Sequence, residues 1–255
     1  MKRFIIYILT LFFLFTNNTV DASQNIISKD LKVVATDGFN IEANLTYPRR
    51  KNEKEFSTVV LLHSLGYNSQ WWEHLPDLLL ERGYAVLKID LRGHGNSVYN
   101  AKLTRNSWKD LNNSGYAKYP DDIVSVFNQI KNEYPKKVFF NNWAIVGADI
   151  GASAGVLAVD KMKNYPRTVV MLSPVVKTKG LYIPISIAHL ENTDFLSITG
   201  SDDFMSKKAE AYLSKFVQNE ILSYTSSSKS TGMLMLKNDE ELCKIITEWI
   251  SNYLN

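Results

Sequence analysis

A single cysteine, Cys243, stands among 255 residues, so no disulfide can form within the chain and its stability has to come from a packed core. Histidine is scarce too, with four in all, and none follows His189. Charge of one sign is nowhere gathered: 29 basic and 26 acidic residues leave a net +3, spread along the chain without the Lys/Arg stripe of a nucleic-acid footprint. No apolar run reaches the roughly 20 residues that a membrane-spanning helix needs. Repeats and low-complexity tracts are absent apart from Thr225-Ser226-Ser227-Ser228, which reads as a loop. What is present is a 45 % hydrophobic fraction, enough for one sizeable core and one domain.

The chain opens on Lys2 and Arg3, runs apolar from Phe4 to Phe15, and turns polar before Val20-Asp21-Ala22. That order predicts a secretory signal peptide cut after Ala22. Residues 1–22 are then a leader and 23–255 a single exported domain, periplasmic or extracellular, with no stable membrane insertion after cleavage. No cysteine lies near the cut, which argues against a lipid anchor.

Alternating apolar and polar residues flank Asp37-Gly38 between Leu31 and Tyr47, predicting a hairpin of two edge strands. Strand and helix patterns then alternate: strands over 58–63, 85–90, 143–147, 168–172, 195–199 and 221–224, helices over 71–82, 121–133, 151–163, 206–217 and 239–253. The interior strands are unbroken apolar runs such as Val59-Val60-Leu61-Leu62, as expected when helices cover both faces of a parallel sheet. Only about twenty residues separate Leu172 from Phe195, too few for a helical lid domain. The irregular stretch from Val98 to Tyr119, with Trp108 and Tyr116, is a candidate pocket wall.

Two segments carry a family resemblance: Leu61-Leu62-His63-Ser64-Leu65-Gly66 and Asp90-Leu91-Arg92-Gly93-His94-Gly95-Asn96-Ser97. With the strands around them they resemble the α/β-hydrolase superfamily, in particular lidless esterase-like and dienelactone-hydrolase-like members, over nearly the whole mature chain. The resemblance implies an eight-stranded, mainly parallel sheet with helices on both faces and no lid. It also implies an oxyanion hole fed by the backbone N–H of Ser64 or Leu65 together with Ile150. His63 and His94 read as structural.

A nucleophile elbow needs a strand, a tight turn between glycines and a helix N-terminus. Gly147-Ala148-Asp149-Ile150-Gly151 lies at the strand-to-helix turn, so the resemblance matches the family's serine to Asp149. The overlapping Gly151-Ala152-Ser153-Ala154-Gly155 holds a literal serine motif, but Ser153 falls inside the helix pattern. The acid position matches Asp203 in Gly200-Ser201-Asp202-Asp203, with Asp202 as fallback. Past the last strand, where the family commonly shows a Gly-His-Gly-Thr-like segment, the match puts Lys229 at the histidine.

A protonated lysine cannot accept a proton, so the expectation is a degenerate hydrolase-fold protein in which Asp149 and Lys229 form an ion pair, with Asp203 near. The alternative is an active hydrolase with Asp149, or less readily Ser153, as nucleophile; an aspartate nucleophile still needs a base to activate water. No cofactor and no metal are implied. The expected partner is a small molecule, an ester or another ligand.

Overall fold

The computed structural model describes residues 26–49, 55–162 and 164–255; the expected leader lies outside them. In chain order the elements are β1 (Ile26–Val34), β2 (Asn40–Pro48), β3 (Phe56–Leu62), α1 (Leu75–Glu81), β4 (Ala85–Ile89), α2 (Asn113–Tyr116), α3 (Tyr119–Glu133), β5 (Val138–Ala148) and α4 (Ile150–Met162). There follow β6 (Thr168–Leu172), β7 (Lys177–Thr178), β8 (Leu181–Tyr182), α5 (Pro184–His189), β9 (Asp194–Gly200), α6 (Phe204–Leu213), β10 (Ile221–Ser226), α7 (Leu234–Asn238) and α8 (Leu242–Leu254).

Eight strands form one sheet in the order β1-β2-β4-β3-β5-β6-β9-β10. β2 runs antiparallel to both its neighbours, while every pairing from β4 to β10 is parallel. The β1–β2 hairpin turns at Gly38, whose φ of +80° is a backbone state that glycine enters without steric cost.

Each interior strand feeds two cores, because successive side chains point to opposite faces. Val60, Leu62 and Ile145 join α3 and α4 on one side. Val59, Leu61, Ala144 and Val146 join α1 and α8 on the other. The unbroken apolar runs are thus two interleaved faces.

Four local differences from the sequence expectation have identifiable causes. α1 starts at Leu75, not near Trp71, because Glu73 takes φ 47°, which interrupts a right-handed helix. The C-terminal helix α8 starts at Leu242 rather than Asp239, and a short helix not expected from the sequence, α7, precedes it and ends before Asp239. That residue is extended, and its carboxylate accepts hydrogen bonds from Ser226 Oγ at 2.6 Å and Ser227 N–H at 3.1 Å. The stretch 98–119 is not wholly irregular. It contains α2 and packs inward, with Trp108 stacked on His94 at 5.6 Å and its N–H on Gly93 O at 2.9 Å. Finally, the interval between β6 and β9 holds the small β7–β8 hairpin and α5; no separate helical domain stands there.

The Asp90–Ser97 motif is a knot of backbone caps. Asp90 accepts Ser69 N–H at 2.7 Å and Asn96 N–H at 2.8 Å, while Ser97 Oγ donates to Asp90 O and accepts Glu42 N–H. Arg92, 6 % exposed, forks between the hairpin turn and α3. It donates to both Asp37 oxygens at 2.8 and 2.9 Å and to both Asp122 oxygens at 2.6 and 2.8 Å, and lies 4.4 Å from the centre of the Phe39 ring.

Candidate functional site

β5 ends at Ala148 and α4 begins at Ile150, leaving Asp149 alone in the turn with φ 52°. A non-glycine residue in the left-handed region stores about 1–2 kcal/mol of strain, and the packing around the turn holds it there. A Cβ on Gly147 would strike the Ala152 backbone, and one on Gly151 the carbonyls of Leu62 and His63. The strand, turn and helix therefore nest at glycine-only distance. Asp149 N–H donates to Leu172 O at 2.9 Å, which pins the turn to β6.

The half-buried Asp149 carboxylate accepts from the N–H groups of Ile150 and Leu65. The first sits at the N-terminus of α4, where the helix dipole favours negative charge. Burial nonetheless raises the Asp149 pKa above the ordinary carboxylate range; the two N–H donors pull it down and the charge of Asp203 pushes it up again. Because the folded pKa exceeds the unfolded one, ionised Asp149 weakens the fold, and this penalty grows as pH rises from about 4 through the folded pKa. Asp149→Asn should therefore be more stable than the parent to urea at pH 7 and no more stable at pH 3.5. An equal difference at both pH values would contradict the assignment.

Why Leu65 supplies the second donor follows from its neighbours. Leu91 N–H donates to His63 Nε2 and Gly66 N–H to His94 Nε2, each at 2.9 Å, so both rings accept there and carry their proton on Nδ1. The Nδ1 atoms face Ser64 O at 2.8 Å and Arg92 O at 3.1 Å. Burial lowers the His63 pKa to about 4 and lowers that of His94, so both are neutral braces between the two motif loops. Ser64 N–H, the other expected donor, points instead to Met233 Sδ at 3.3 Å. Leu65 N–H is the one left facing Asp149.

Asp203 is the N-cap of α6: Oδ1 accepts Ser206 N–H at 3.0 Å. Oδ2 is buried and has no hydrogen-bond partner. Asp202, the fallback, is exposed. Ser153 is 1 % exposed with an unpartnered Oγ; it lies in the first turn of α4, its N–H on Asp149 O at 3.3 Å, and is not among the residues that line the cavity. His189 sits on α5 against Asp160 Oδ1 at 2.9 Å, also outside the cavity.

Lys229 requires a correction. It is exposed and, among the described residues, forms no ion pair with Asp149 or Asp203. The loop after β10 instead turns Thr231 and Gly232 to the site. Gly232 N–H donates to Ser173 Oγ at 2.8 Å, and a Cβ on Gly232 would lie 4.0 Å from Asp149 Cβ and hard against Ser64 Oγ. Aligning Gly232 with the second glycine of the Gly-His-Gly-Thr-like segment shifts the match by two residues and puts Thr231 where Lys229 was expected. That glycine was the sequence signal that the lysine's charge obscured.

A cavity of about 310 Å³ joins these parts. Its polar wall holds Asp149, Asp203, Ser64, Ser173, Ser206 and Thr231, and its apolar wall Leu65, Tyr67, Val175 and Leu234. Ser173 and Tyr67 were not anticipated from sequence; Ser173 enters because it too adopts φ 52° in the loop after β6. No histidine lines the cavity.

Comparison with known proteins agrees with this architecture. A curated Schizosaccharomyces pombe protein, named probable lipase, is 27 % identical over 163 residues; the match covers 58 % of this chain but only 34 % of that protein. Among solved structures, a Pyrococcus furiosus esterase superposes with a TM-score of 0.66 at 16 % identity, covering 90 % of this chain and 92 % of its own. Dienelactone hydrolase from Anabaena variabilis gives 0.65 at 14 % over 91 % and 100 %. A lidless α/β serine hydrolase from Xanthomonas campestris gives 0.62 at 14 % over 89 % and 95 %. The profile of the family described as serine aminopeptidase, S33, matches residues 53–244, most of the chain. With the eight-stranded sheet and the elbow at Asp149, that match makes this chain a member of the S33 family of the α/β-hydrolase superfamily.

Proposed function

We propose that this protein is an exported, non-hydrolytic member of its family that binds a small molecule in the vestigial catalytic cavity. The observation that carries the reading is that Asp203, whose buried Oδ2 has no donor, lines a cavity that lacks any histidine. In acyl transfer a base takes the proton of the nucleophile or of water, and a carboxylate orients that base. Here the orienting acid has nothing to orient. An aspartate at the elbow could form an ester intermediate, but the cavity holds no histidine to activate water against it.

Export rests on the charged, apolar and small-residue order of residues 2–22; mass spectrometry of the mature protein should give Ser23 as the first residue, and Met1 or Lys2 would refute cleavage. The catalytic reading is tested with p-nitrophenyl acetate and butyrate and with a serine-reactive fluorophosphonate. The expected result is background hydrolysis and no label. Turnover lost in Asp149→Asn would establish an aspartate nucleophile, and turnover or label lost only in Ser153→Ala would assign the chemistry to Ser153; either overturns the proposal.

A further inference from the structure

We infer that the cavity binds a small organic ammonium ion, held between the carboxylates of Asp149 and Asp203. The inference rests on the reading of this cavity as a binding site. Two carboxylates line one cavity, close enough that the charge of Asp203 acts on Asp149, and among the described residues neither has a cationic partner. The nearest cation in sequence is committed elsewhere: Lys207 Nζ donates to Ser201 O at 2.7 Å and sits 5.7 Å from the centre of the Phe204 ring. Lys229 is exposed and is not among the residues that line the cavity.

The second observation is independent of charge. Asp203 is 7 % exposed, its Oδ1 is used as a helix cap and its Oδ2 has no donor. Buried carboxylate oxygens are otherwise satisfied, because leaving one without a donor is costly. A ligand that supplies donors and no acceptors answers both facts, and an alkylammonium is such a ligand, with three N–H donors and a full positive charge.

The other ligand classes fit less well. An anion would compete with Asp149 for the N–H groups of Leu65 and Ile150, which that carboxylate already occupies. A hard divalent cation takes six or more oxygen ligands, whereas no group of three or more His, Cys, Asp or Glu side chains among the described residues is placed to hold a metal. Leu65, Val175 and Leu234 give a short alkyl tail an apolar wall, and the Tyr67 ring offers a face to a cation.

The test is thermal denaturation of the mature protein titrated with butylammonium at constant ionic strength, with 1-butanol, butyrate and calcium chloride as parallel probes. Butylammonium should raise the midpoint saturably and the other three should not. Asp203→Asn should weaken the apparent affinity at least tenfold; asparagine caps helices as well as aspartate, so the fold is kept. Asp149→Asn should weaken it similarly and provides the same test at the other carboxylate. Equal response to 1-butanol, a larger response to calcium, no saturable response to butylammonium, or unchanged affinity in both variants would overturn the inference. Ester turnover by the parent protein would overturn the non-hydrolytic reading without touching the titration, so the two failures are distinguishable.

Discussion

Replacing Asp149 by serine and Thr231 by histidine together should produce measurable hydrolysis of p-nitrophenyl acetate, where each single replacement gives none. The elbow, the N–H groups of Ile150 and Leu65, and the acid Asp203 are in place. On the proposed non-hydrolytic reading, what is missing is a nucleophile with a removable proton and a base to remove it. Serine at 149 regains the first, and vacates the oxyanion donors that the carboxylate occupies. Histidine at 231 regains the second and gives Asp203 Oδ2 the N–H it lacks. A positioned general base contributes about 10²–10⁴-fold and an oxyanion-hole donor about 10²–10³-fold. The double variant should therefore exceed either single variant by at least about 100-fold. Asp149→Ser with Lys229→His is the control and should stay at background, because position 229 faces solvent. Activity in that control and not in the Thr231→His combination would restore the alignment on Lys229 and refute the one derived from the loop geometry.

Arg92→Met should lower stability by about 3–5 kcal/mol, the range for removing one partner of a buried ion pair. Asp122 is 2 % exposed and takes two hydrogen bonds from Arg92, so the substitution strands a carboxylate in the core beneath α3. Asp37, one-third exposed at its side chain, can turn to water and contributes less. The paired variant Arg92→Met/Asp122→Leu should recover most of the loss in urea denaturation, since an apolar replacement of both partners removes the stranded charge. If the pair is as unstable as the single variant, the cost lies in packing on Phe39 and not in the charge.

Most of the fold was legible because the parallel sheet writes itself into the sequence twice. Val59 to Leu62 must be apolar at every position to serve two cores, and glycines at 147 and 151 must stand where strand and helix touch. Asp149 was readable for the same reason, since the turn fixes its place between those glycines. The far side of the site was less legible. Loops carry no periodicity, and the approach of 229–232 to Asp149 depends on Gly232 fitting against Ser64 and bonding Ser173, contacts with a separation of 59 residues or more. A lysine opposite an aspartate is an attractive pair on charge alone, but the main-chain path decides which side chain enters the cavity. The interruption at Glu73 and the extended Asp239 ahead of α8 were hidden likewise, because each is a local backbone state imposed by its neighbours.

Asp203 holds two posts at once, one in the cavity and one at the start of α6, where Oδ1 caps Ser206 N–H. A side chain with two employments drifts slowly. Whatever the cavity does, Asp203→Ala would forfeit a helix cap worth about 1 kcal/mol. On the proposed non-hydrolytic reading, the acid position would thus be held in place by the helix that leans on it.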